Sequence, residues 1–149
     1  MKHLLIVSPS APPKNSPESF QLDRILLTLD PGIRVTLITT PLQAGWEKHD
    51  HSMDRQRPNV RVLTAALPIH AYTAKVLTNH RLRRFHIPDS DFWIAWLARS
   101  LSLKLRDDPP DVIYSRSFPF SSALLAQRLS KLLDVPWMMH LSDPWYQSP

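Results

Sequence analysis

A continuous apolar run, HLLIVS at residues 3–8, is bounded by Ser-Pro. It reads as a strand buried on both faces. A Pro-rich loop follows to Ser16-Pro17, a serine cap with proline at the first helical position. Leu22, Ile25, Leu26 and Leu29 then recur at helical spacing until Asp-Pro-Gly at 30–32 stops the helix. IRVTLITT at 33–40 is a β-branched strand, which completes a βαβ unit with a parallel pair.

Residues 43–59 are polar without period and read as a mobile loop. VRVLTA at 60–65 is a short strand, and 71–84 a helix with a basic end. A helix over 91–106 carries Ile94, Leu97, Ala98, Leu101 and Leu105 on one stripe, and DDPPD ends it. VIYS at 112–115 is a strand. Pro119 opens a helix whose stripe is Ser122, Leu125, Ala126, Leu129 and Leu133, and VPWMMHL at 135–141 is the last strand. This order predicts a single α/β domain over 1–149. It is a doubly wound, mostly parallel, Rossmann-like sheet with helices on both faces. Ligands of such sheets bind beyond the carboxyl ends of the strands. Three polar segments fall there: Ser8–Ser16, Ser115–Ser121 and His140–Trp145.

Composition narrows the function. With 149 residues and 43% apolar content, one domain can bury roughly 70% of its unfolded surface. The chain has two glycines, Gly32 and Gly45, against fifteen prolines. Neither the three-glycine dinucleotide fingerprint nor the P-loop can be written with them. Cysteine is absent, which removes disulfides and thiolate metal sites and fits a reducing, cytoplasmic compartment. The first apolar run is too short for a secretory signal, and no run approaches the roughly 18 residues of a membrane span. The net charge of +5 allows a phosphate-rich or anionic-membrane partner, and equally serves solubility alone.

Asp143 follows the last strand, where a crevice is expected. A carboxylate there can take a proton from a hydroxyl or hold a sugar hydroxyl. Asp143 before Pro144 is also a good helix cap, and both roles can hold together. His140 is a base or phosphate partner, or a hydrogen-bonded core residue. Arg116 and Ser117, at a strand end and helix start, make an anion site, or Ser117 simply caps the helix. Ser121 and Ser122 lack the flanking glycines of a hydrolase nucleophile. His49 and His51 are two imidazoles two residues apart, short of a metal ligand set, so no metal site is expected. Arg81, Arg83 and Arg84 are either a solvated helix end or a contact for anionic lipid at the inner face of the cell membrane. No nucleic-acid-binding signature accompanies them. Of the five tryptophans, Trp46 alone falls in a polar loop, where it can meet a partner.

Several motifs occur in order: LLIVSP (4–9), a Pro-rich loop, IRVTLITT (33–40), PD (88–89), a Trp-bearing helix, PDVIYSRSFPFSS (110–122), LAQRLSKLLDVPW (125–137) and SDPW (142–145). Together they resemble the N-terminal half of bacterial family 4 glycosyltransferases of the GT-B fold. The resemblance covers nearly the whole chain and is faintest over 41–87. It implies two Rossmann-like domains facing across a cleft. The N-terminal one binds a glycan or lipid-linked acceptor. The C-terminal one binds the nucleotide-sugar through a glutamate-containing motif, and transfer uses no bound metal. This chain resembles the N-terminal domain only and ends before that domain is complete. It is therefore expected to bind no cofactor and to be inactive by itself, the nucleotide-sugar belonging to the missing domain. A retaining outcome is implied by the resemblance alone. Asp143 matches the family's aspartate, with His140 the second candidate. Ser8, Pro13, Lys14, Ser16, Arg116, Ser117 and Ser142 are expected to line the acceptor cleft. The sequence departs from the family twice: SAPPKNSPES (10–19) has no Gly pair, and Ser142 stands where many relatives have His or Arg. His140, two residues earlier, can point the same way as Ser142. The alternative is a stand-alone Rossmann-like module that docks a partner protein or an anionic membrane.

Overall fold

A computed structural model describes residues 2–41, 48–65, 91–116 and 121–141. The elements are β1 (Lys2–Val7), α1 (Pro17–Thr28), β2 (Ile33–Thr39), a 3-10 turn (His51–Met53), β3 (Val60–Thr64), α2 (Asp91–Leu105), β4 (Val112–Arg116), α3 (Ser121–Leu133) and β5 (Trp137–His140). The strands form one parallel sheet in the order β3-β2-β1-β4-β5. β1 is its centre. Leu5 and Ile6 are fully buried and Val7 is 1% exposed, as an apolar run without alternation requires.

Helices pack on both faces. Leu22 and Leu26 of α1 meet Ile6, Val35 and Leu37 on one side. On the other, Leu97, Ala98, Leu101 and Leu105 of α2 and Leu125, Ala126 and Leu129 of α3 meet Leu5, Val7, Ile38 and Ile113. The domain is thus a doubly wound, Rossmann-like α/β fold. Ser16 caps α1, its Oγ accepting from Ser19 N at 3.2 Å. At the amino edge of the sheet the His3 ring is buried, with Nε2 2.8 Å from Thr36 Oγ1. His3 is therefore a core residue far from the carboxyl ends.

Two sequence expectations change. β5 is shorter than 135–141 because α3 closes through Asp134, whose φ is 55°, and Val135 N donates back to Ser130 O. Val135 therefore belongs to the helix stop. The stretch 48–59 also has more structure than its lack of period suggests. Met53 is 2% exposed, and Arg57 pairs with Asp23 of α1 in a largely buried ion pair. Asn59 Nδ2 donates to Ile33 O at 3.1 Å. The helix expected over 71–84, and with it Trp46 and Arg81, Arg83 and Arg84, lies outside the described residues.

Ile113 joins β1 to β5 and touches the helices of one face, so its truncation leaves a cavity the sheet cannot close. Ile113→Ala is expected to cost about 2–5 kcal/mol in urea unfolding. A loss well under about 1 kcal/mol would contradict this packing.

Candidate functional site

After β1 the chain winds outward through β2 and β3 on one side, then returns to build β4 and β5 on the other. β1 and β4 are neighbours, with Val7 opposite Ser115. Their carboxyl ends therefore flank the topological switch point, where open α/β sheets hold ligands. β5 ends beside them, with His140 opposite Arg116.

The loop after β1 is knitted to the end of β2. Ser8 N donates to Ile38 O, and Ser8 Oγ to Ser10 O at 2.7 Å. Thr39 Oγ1 and Thr40 Oγ1 both donate to Pro9 O, at 3.0 and 3.2 Å. Lys14 is buried, and its Nζ donates to Thr40 Oγ1 at 2.7 Å. On the outer side, Asp50 N donates to Pro13 O and Asn15 N to Lys48 O, both at 2.8 Å. Ser8, Pro13, Lys14 and Ser16 thus shape and anchor this loop. Its backbone is held without any glycine.

Arg116 is 1% exposed. One terminal nitrogen donates to Glu18 O at 3.2 Å and the other to Gln21 Oε1. Its carbonyl accepts from Ser122 Oγ, so the residue clamps β4 to both α1 and α3. Its buried Nε has no acceptor among the described residues. Arg116 is thereby a buried positive charge at the carboxyl end of β4 rather than an arginine projecting into solvent.

His140 Nδ1 lies 2.8 Å from Tyr114 Oη, with the rings edge to face at 6.1 Å. Burial pushes the Tyr114 phenol above its ordinary value, against a smaller opposing effect of the Arg116 charge. The phenol therefore keeps its hydrogen at neutral pH. When it donates to Nδ1, the neutral imidazole carries its own proton on Nε2. His140 then offers a donor to a ligand. Tyr114 is absent from the sequence-derived candidates. Its signal is parity: in a strand it shares a face with Arg116 and with the cross-strand His140.

No protein-family model matches the chain, and no curated protein matches it. The site therefore rests on geometry. The structure brings together the Ser8–Ser16 loop, Arg116 and His140 at adjoining strand ends. Ser117, Ser142 and Asp143 lie outside the described residues. His49 and His51 acquire a third group that their spacing does not reveal: Asp54 lies within hydrogen-bond distance of both.

Two outcomes follow from this geometry. Arg116→Ala is expected to destabilise the fold by about 2–3 kcal/mol, since it removes a buried side chain and the charged hydrogen bonds by which it holds α1. Unchanged stability in urea would show that Arg116 is no clamp. Tyr114 is one of three tyrosines, and in an absorbance titration it is expected to ionise above the ordinary phenol range, a step missing from Tyr114→Phe. The folded chain holds this proton longer than the unfolded one. Its contribution to stability is therefore intact below the ordinary phenol value and is lost as pH rises through the raised one. A single, unshifted tyrosine step would contradict the burial.

Proposed function

We propose that this chain is the acceptor-binding domain of a glycosyltransferase. The enzyme would move a sugar from a nucleotide-sugar to a hydroxyl acceptor in cell-surface glycan or glycolipid synthesis. The observation that carries the proposal is the sheet order β3-β2-β1-β4-β5, which puts the topological switch point between β1 and β4, where open α/β sheets hold ligands. Motifs resembling those of family 4 glycosyltransferases accompany it: Ser115 and Arg116 close β4, and SDPW follows β5 in the sequence. The chain supplies a charged and hydroxylated crevice without a glycine-rich phosphate loop. That suits an acceptor better than a dinucleotide.

In this reading Asp143 receives the proton of the acceptor hydroxyl as its oxygen bonds to the sugar carbon and the bond to the nucleotide breaks. His140, with Nδ1 engaged by Tyr114, holds the acceptor through Nε2–H. The buried charge of Arg116 favours an anionic group nearby, and the Ser8–Ser16 loop forms the opposite rim. The donor belongs to a second domain. Among the described residues no helix is long and apolar enough to cross a membrane. A peripheral contact with anionic lipid through Arg81, Arg83 and Arg84 is part of the same proposal.

A second reading, a stand-alone module that docks another protein, is favoured by one feature. Met138 and Leu141 at the β5 edge are 57% and 54% exposed.

The test is transfer of labelled sugar from a panel of nucleotide-sugars to host membranes, using the protein as its host produces it. Asp143→Ala is expected to reduce transfer by about 100-fold or more. Full activity in that variant would remove Asp143 from the mechanism. No transfer from any nucleotide-sugar by the wild-type protein would favour the docking module.

A further inference from the structure

His49, His51 and Asp54 stand together outside the crevice chemistry described above. His49 Nε2 lies 2.8 and 2.9 Å from the two Asp54 oxygens, and His51 Nδ1 lies 3.0 Å from Oδ2. One ligand atom from each residue falls within 4.8 Å of the other two. The imidazole rings stack at 4.4 Å with 28° between their planes. Hydrogen bonds from His51 and then His49 hold the Asp54 carboxyl below its usual range, so it is an anion at neutral pH.

The cluster is built on fixed backbone. Hydrogen bonds from Asp50 N to Pro13 O and from Asn15 N to Lys48 O bracket His49, which forms an antiparallel bridge with Lys14. Asp50 caps the turn, its Oδ1 accepting from Ser52 N at 2.9 Å. The buried side chain of Met53 pins the turn from beneath. The Arg57–Asp23 pair, with a second contact from Arg57 to Met53 O, fixes its exit. Three ligand-bearing residues are therefore presented on one ordered turn, open to solvent.

We propose that His49, His51 and Asp54 bind one divalent first-row transition ion, with zinc as its representative. Two imidazoles and one carboxylate are a donor set that such ions prefer and that calcium and magnesium do not. Tetrahedral zinc with bonds of about 2.0–2.1 Å sets its ligand atoms roughly 3.3 Å apart. The nitrogen–oxygen separations of 2.9 and 3.0 Å need to open by only a few tenths of an ångström, and the two ring nitrogens lie within 4.8 Å of each other. Three protein ligands leave a fourth position for water or an external donor. The bound ion would fasten the 48–54 turn, and through the Lys14 bridge the β1–α1 loop, into one conformation. This site takes no part in sugar transfer and stands whether or not the chain is a transferase domain.

The test is calorimetric titration of the untagged full chain with zinc chloride, with magnesium chloride as the control. One saturable site is expected for zinc and none for magnesium. His49→Ala and Asp54→Asn, both at exposed positions, are each expected to weaken zinc binding by at least about 10-fold. Cobalt(II) added to the wild-type chain is expected to give the visible absorption of a low-coordinate, imidazole-ligated ion, a readout that depends on no variant. Three results would overturn the proposal: no saturable zinc site, equal affinity in both variants, or a cobalt spectrum of the hexa-aqua ion.

Discussion

The fold depends on the burial of β1. Leu5, Ile6 and Val7 bring apolar side chains to both faces of the sheet, so helices must cover both. With parallel strands and crossover helices, that means winding one way from β1 and then the other. The reversal leaves β1 and β4 side by side, with the helices that follow them on opposite faces of the sheet. The crevice is thus a consequence of where the central strand is buried, before any functional side chain is considered.

The residues around the crevice divide by what they do for the fold. Lys14, Ser8, Thr39 and Thr40 spend their polar groups on holding the β1–α1 loop. In the proposed enzyme this tightness compensates for the lack of a glycine pair. The rim is set by side-chain to backbone hydrogen bonds instead of by close backbone approach. Arg116 works similarly from below. Burying a guanidinium is costly unless its nitrogens are bonded; at the start of α1, Glu18 O and Gln21 Oε1 accept from its two terminal nitrogens, while Nε has no acceptor among the described residues. The strand end, the helix start and the crevice floor are thereby coupled. Tyr114 does the same for His140, fixing one ring nitrogen and leaving the other for a ligand.

Much of the fold was legible in the sequence because its signals are local. The HLLIVS run, the Ser16-Pro17 cap and the Leu125, Ala126, Leu129 stripe each follow from short-range periodicity or capping, and the elements lie where those signals put them. The last strand starts later than its apolar run suggests because the left-handed Asp134 stop overrides the strand propensity of Val135. The stretch 48–59 was illegible for a different reason. Its order comes from Asp23, 34 residues away from Arg57 in sequence, and from the burial of Met53. No window of neighbouring residues carries that information. The same holds for the site. Strand-end placement pointed to Arg116 and His140, but the roles of Glu18, Gln21 and Tyr114 come from packing across the sheet and α1. Asp54 joins His49 and His51 only because the 3-10 turn folds it back.

The central claim is that this domain forms one wall of a two-domain transferase. The most direct test is the intact mass of the protein as its native host produces it. A two-domain transferase would have a mass at least about twice the 17.2 kDa of this chain, since a second domain adds roughly 100–200 residues. A product of 17.2 kDa would contradict it, and would mean that the crevice at β1 and β4 serves a free-standing binding domain.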